Sequence, residues 1–171
     1  TPGTRHDFSI TNAGQSAYSH AWTGYNAAAS YDQQTWFRVP SRFENGALSF
    51  GLEPEHEQIW FAYFEPYSRE RHASLIAKAL ALPGVELQAS GRSIEGRDIE
   101  LLRVHRHASA TRKVWIIAQQ HPGEHMAEWF MEGIIRRLGD SADSELDALL
   151  QQADLYLCLL YTSDAADDSL R

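Results

Sequence analysis

Cysteine is nearly absent from this chain of 171 residues: Cys158 is the single one. No intrachain disulfide can form, and a cysteine zinc cluster is excluded. Positive charge is also scarce. Lys and Arg number 15 against 23 Asp and Glu, a formal net charge of −8. Neutralising nucleic-acid phosphates needs clustered Lys and Arg, so no nucleic-acid partner is expected. Long apolar runs are missing, so no segment is expected to span a bilayer and no membrane partner is expected. The chain opens on Thr1 rather than Met, without a basic stretch followed by an apolar run. No export signal is therefore visible, the true start is expected upstream, and a cytoplasmic location fits. Neither a G-x-S-x-G elbow nor a phosphate-cradling glycine loop occurs. What remains is a composition of 43% hydrophobic and 22% charged residues, that of an ordinary globular protein.

The first third reads as β structure. Short aromatic and β-branched runs such as Phe8–Thr11, Thr35–Val39, Ala47–Phe50 and Gln58–Phe64 alternate with turn residues. Asn45-Gly46 is a hairpin turn, because both residues tolerate positive φ. A small β-sandwich over residues 1–66 is the natural reading. Trp22, Tyr25 and Trp36 are better explained by its core than by a ligand groove.

The pattern changes at Pro66. Ser68 is an N-cap, Arg69–Leu82 a helix with Ile76 and Leu80 on one face, and Pro83-Gly84 its end. Strands follow at Val85–Ala89 and Ile99–Val104. Lys113–Ala118 is apolar enough to suggest a strand buried on both faces. Met126–Leu138 reads as a helix with an apolar stripe of Met126, Phe130 and Ile134, and with Glu132 and Arg136 as an exposed pair. A helix over Ala142–Leu150 and a strand from Asp154 complete the alternation. The fold class is thus a two-part α+β and α/β chain: the sandwich, then the start of an α/β domain with a mixed sheet over residues 67–157. Residues 158–171 read as the translation of a sequencing-library adapter rather than native sequence.

Gln119-Gln120-His121-Pro122-Gly123-Glu124-His125 follows the apolar strand and precedes a helix. Ligands of α/β sheets collect at the C-terminal ends of strands. His121 and Glu124, three residues apart at such a turn, supply the nitrogen and oxygen donors that suit Zn²⁺. Spacing alone selects His125 and Glu128 equally, but these lie at or inside the helix, where Glu128 shares a solvated face with Glu132. His121, Glu124 and His125 also spell the inverted zincin pattern H-x-x-E-H. That pattern needs one continuous helix, which Pro122 and Gly123 oppose. His105 and His107 read as solvated loop residues. His72, His6, His20 and His56 have no partner at ligand spacing, and Arg92 and Arg97 read as surface charge beside a turn.

These residues resemble the M14 zinc carboxypeptidases, within them the cytosolic carboxypeptidase-like branch. The matching pieces are Tyr63–Ser68 with Glu70-Arg71-His72, then Gly91–Arg97, then Trp115–Ile117. The most specific is His121-Pro122-Gly123-Glu124 continuing into Met126–Gly133. The resemblance implies a zinc cofactor held by His121 and Glu124, a peptide or protein C-terminus as substrate, and a sandwich ahead of the peptidase domain. It implies a second His ligand, an arginine and an asparagine for the substrate carboxylate, and a glutamate base, all expected beyond residue 157. An incomplete, inactive fragment that binds zinc weakly is the consequent expectation. A zinc amidohydrolase of the aspartoacylase type and a non-catalytic β-sandwich binding module are the alternatives. The oligomeric state is not readable.

Overall fold

The computed structural model describes residues 1–93, 95–121 and 123–159. Pro122 and the adapter-like stretch from residue 160 onward lie outside them. The chain divides into two compact units, Thr1–Glu65 and Pro66 onward.

The first unit carries two three-stranded antiparallel sheets. One is ordered β1-β5-β4, from β1 (His6–Ile10), β4 (Ser41–Glu44) and β5 (Ala47–Leu52). The other is ordered β3-β2-β6, from β2 (Ala27–Ser30), β3 (Trp36–Val39) and β6 (Trp60–Ala62). Phe8 and Phe50 of the first sheet meet Phe61 of the second, with ring centroids 4.9 and 5.2 Å away. This is the expected β-sandwich. The β4–β5 hairpin turns at Asn45 and Gly46, whose φ values of +50° and +77° are those of a type I′ turn. Trp22 and Tyr25 are half-buried and pack ring against ring with Tyr63, rather than filling the sandwich centre. Trp36 is half-buried as well.

Among the described residues, the second unit is a four-stranded mixed sheet ordered β7-β8-β10-β9 with three helices. Helix α1 (Arg69–Leu80) starts at Ser68, whose hydroxyl accepts the Arg71 N–H. Strands β7 (Val85–Arg92) and β8 (Asp98–Val104) form a hairpin with a bulge at Ala89/Gly91. Strand β9 (Arg112–Ile117) leads to α2 (Met126–Leu138), then α3 (Ser144–Leu150) and β10 (Ala153–Cys158). Strand β10 lies parallel to β9 and antiparallel to β8. Leu102, Val104, Leu155 and Leu157 project from one sheet face. They pack with Leu75, Ile76 and Ala79 of α1, Met131, Ile135 and Leu138 of α2, and Leu150 of α3 into one core.

Three expectations are corrected here. Among the described residues strand β9 lies at the sheet edge rather than buried on both faces, with Trp115 58% and Ile117 38% exposed. Val114 and Ile116 alternate inward, while Trp115 stacks on Tyr156 at 4.7 Å on the opposite face. The apolar stripe of α2 is displaced: Met126 and Phe130 are exposed, and the buried side is Glu128, Met131, Ile135 and Leu138. On α1, Ile76 is buried as expected, but Leu80 is 40% exposed.

Candidate metal centre

The chain leaves the sheet at the C-terminal end of β9. Ala118 still donates its N–H to the Cys158 carbonyl at 3.0 Å. Gln119 then turns left-handed, with φ +48°, although its side chain is buried. A non-glycine residue there costs about 1–2 kcal/mol. The Gln119 side-chain amide lies 3.2 Å from Nδ1 of His125. Gly123 supplies a second left-handed step, φ +83°, which its missing Cβ permits. Across Gly123 the Glu124 N–H donates to the His121 carbonyl at 3.3 Å, and α2 begins at Met126.

His121 and Glu124 therefore sit on one strand–turn–helix crossover, His121 half-buried and Glu124 exposed. An imidazole and a carboxylate form a donor pair suited to zinc. The left-handed Gly123 ends the continuous helix that the inverted zincin pattern requires. His125 and Glu128, the other match by spacing, face different partners: His125 meets Gln119, and Glu128 meets His72. Among the described residues, no group of three His, Cys, Asp or Glu side chains stands ready for a metal. An imidazole and a carboxylate are two of the four donors a zinc site takes.

Beside the turn lies a polar cluster that sequence reasoning missed. Glu128 is not solvated: its side chain is 5% exposed, and its Oε2 is 2.7 Å from Nδ1 of His72. His72 Nε2 faces Glu100 of β8 at 3.6 Å. The Glu128 hydrogen bond, assisted by the Glu100 charge, lifts the His72 pKa above its usual 6.5 against the opposing effect of burial. One turn along, Glu132 is not an exposed partner of Arg136 alone. It accepts from Arg71 Nε and Nη2 at 2.9 and 3.0 Å and from the Tyr67 hydroxyl at 2.9 Å. Arg136 reaches it at 3.3 Å. The Arg71 fork holds the Glu132 carboxyl below its usual pKa, and burial raises that of Tyr67. The guanidinium also lies 3.9 Å from the Trp129 ring centre. The legible signal was two acids one turn apart on α2 and two adjacent bases on α1.

The remaining candidates are surface pairs or partly exposed. His105 Nδ1 meets Asp154 at 2.6 Å and His107 meets Asp147 at 3.3 Å, so neither is simply solvated. Asp154 is buried, which raises its pKa, but hydrogen bonds from His105 and Arg103 outweigh this and hold it low. Arg92 pairs with Asp98 and Arg97 with Glu95, all exposed beside the hairpin turn.

Two family models divide the chain along the same lines. The cytosolic carboxypeptidase N-terminal domain matches residues 1–64, and zinc carboxypeptidase matches residues 73–164. The chain belongs to the M14 zinc carboxypeptidase family. Among solved structures it is similar to a metallo-carboxypeptidase from Pseudomonas aeruginosa in complex with (2-guanidinoethylmercapto)succinic acid. Identity there is 61%, the TM-score is 0.85, and the match covers 94% of this chain and 43% of that one. A metallo-carboxypeptidase from Burkholderia cenocepacia is 38% identical with a TM-score of 0.84, over 93% of this chain and 44% of that one. An uncharacterised protein of Zymomonas mobilis is 40% identical over 148 residues, 86% of this chain and 38% of its own length. The M14 chain thus spans about two fifths of the relatives it matches. No helix among its described residues is long and apolar enough to cross a membrane.

Proposed function

We propose that this chain is the amino-terminal portion of a cytoplasmic zinc carboxypeptidase, in which His121 and Glu124 are two of the zinc ligands. The observation that carries the reading is the turn itself. An imidazole and a carboxylate three residues apart leave the C-terminal end of a sheet strand, within the segment matched by the zinc carboxypeptidase family. Bound zinc lowers the pKa of water to about 7 and polarises the scissile carbonyl. Toward that chemistry His121 offers an imidazole nitrogen and Glu124 carboxylate oxygens. The third ligand, the glutamate base and the groups holding the substrate carboxylate have no assigned position in residues 1–157. The substrate is the C-terminus of a peptide or protein. The ligand of the Pseudomonas relative joins a guanidinium to a dicarboxylic acid, so basic and acidic C-terminal residues are the two substrates to compare.

Zinc titration of residues 1–171 tests the ligand pair. Weak binding that His121→Ala and Glu124→Ala each abolish is the expected result, and binding indifferent to both changes refutes it. Residues 1–171 alone are expected to release no amino acid from peptides ending in Arg, Lys or Glu. Turnover by this chain would overturn the assignment of the remaining catalytic groups to later sequence.

A further inference from the structure

We propose that His72, acting through Glu128, is a positioning residue for the metal turn: α1 holds the first turn of α2, and with it the backbone that presents His121 and Glu124 together. The proposal rests on the ligand assignment above, but the geometry stands apart from it.

Two residues of the turn, Gln119 and Gly123, are left-handed, and the Glu124 N–H to His121 carbonyl bond is long at 3.3 Å. A strained backbone persists only where its surroundings over-determine it. On the sheet side β9 supplies that restraint through the Ala118 N–H bond to Cys158. On the helix side the Gln119 side-chain amide meets His125 Nδ1 at 3.2 Å, but no side-chain cap holds the first turn. Ser68 caps α1 and Asp143 caps α3 through side-chain hydrogen bonds, whereas α2 has no side-chain cap. A carboxylate at the start of α2 that capped the helix would compete with the metal for the same lone pairs.

A further restraint comes from α1. The His72 imidazole holds the Glu128 carboxylate at 2.7 Å, with Glu100 of β8 behind it. From Glu128 three backbone hydrogen bonds, joined through the chain between them, lead back to the turn. The Glu128 N–H donates to the His125 carbonyl at 3.1 Å, the Ala127 N–H to the Glu124 carbonyl at 3.0 Å, and the Glu124 N–H to the His121 carbonyl. The Arg71–Glu132 fork, one turn further, holds the same face of α2 against α1. A buried carboxylate is costly unless paired, so a solvated residue at position 128 would be the cheaper choice if packing were its sole duty.

Amide hydrogen exchange on residues 1–171 without metal tests the positioning directly. His72→Gln and Glu128→Gln should each speed exchange of the Glu124, Ala127 and Glu128 amides about tenfold, while the Gln151 amide at the end of α3 stays at its wild-type rate. Arg137→Gln removes the pair with Asp143 at the far end of α2 and should leave the three turn amides unchanged. Should His72→Gln fail to fold, the near-isosteric Glu128→Gln and the milder Glu100→Gln carry the test. Unchanged turn amides in the folded variants, or acceleration spread evenly over the second unit, overturns the proposal. Zinc titration is the second arm, with affinity about tenfold weaker in His72→Gln and Glu128→Gln, the scale of losses beyond the immediate ligands. If His121→Ala binds zinc like the wild type, the ligand assignment fails, and the amide rates still decide whether His72 positions the turn.

Discussion

Replacing Arg71 by Ala should destabilise the second unit by about 2 kcal/mol. Arg71 gives two charge-assisted hydrogen bonds to Glu132, and such bonds contribute about 1.5–3 kcal/mol each when well sheltered. The Arg71 side chain is 36% exposed, so solvent screening brings the fork nearer 2–3 kcal/mol in all. Its contact with the Trp129 face adds about 0.5–1 kcal/mol. Freeing a long side chain returns up to about 2 kcal/mol of entropy to the variant. Glu132, with its side chain only 14% exposed, then keeps the Tyr67 hydroxyl and the distant Arg136. The three α-helices among the described residues belong to the second unit, so the far-ultraviolet helical band reports its unfolding apart from the sandwich. With a urea slope of about 1–2 kcal/mol/M, the midpoint should fall by about 1–2 M. Arg136→Ala, which removes one 3.3 Å contact from a side chain 79% exposed, should stay within about 0.5 kcal/mol. Equal losses in the two variants, or a loss below about 0.5 kcal/mol for Arg71→Ala, would refute the reasoning.

Met131 is fully buried between α1, α2 and the sheet, and Met131→Ala should cost about 2–5 kcal/mol by the same helical band. His72 faces Glu128 and Glu100, and its folded pKa is raised above the unfolded 6.5. Relative to His72→Gln, its stabilisation should be full below about pH 6.5 and disappear as pH rises through the folded pKa, as read by urea midpoints across that range. Gly46→Ala meets no blocking neighbour but keeps φ +77°, so a loss of about 1–2 kcal/mol in the first unit is expected, followed by tryptophan fluorescence. Gly14→Ala should cost more, because its Cβ would lie 2.7 Å from the Gly46 Cα, a backbone atom that cannot step aside.

Local signals were legible wherever the governing interactions are local. Asn45-Gly46 specified its hairpin because few other residues accept two successive left-handed steps. Ser68 specified the start of α1 because its hydroxyl can reach an N–H three residues on. Element order, the two-part organisation and the His121–Glu124 turn were readable for the same reason, and the family motif lies within that continuous stretch. The buried face of α2 was not. Met126, Phe130 and Ile134 form an apolar stripe, but Met131, Ile135 and Leu138 form another, and periodicity cannot choose between them. The choice fell to α1, which offers His72 and Arg71 to two acids one turn apart, turning Glu128 inward and Phe130 out. Strand β9 reads as a central strand because its side chains are apolar, but its neighbours are a tertiary matter: among the described residues it pairs with β10, some forty residues further along the chain. Sequence alone determined which residues could ligate a metal. Tertiary packing decided which face of α2 turns inward, because the pairs that set it join helices more than fifty residues apart.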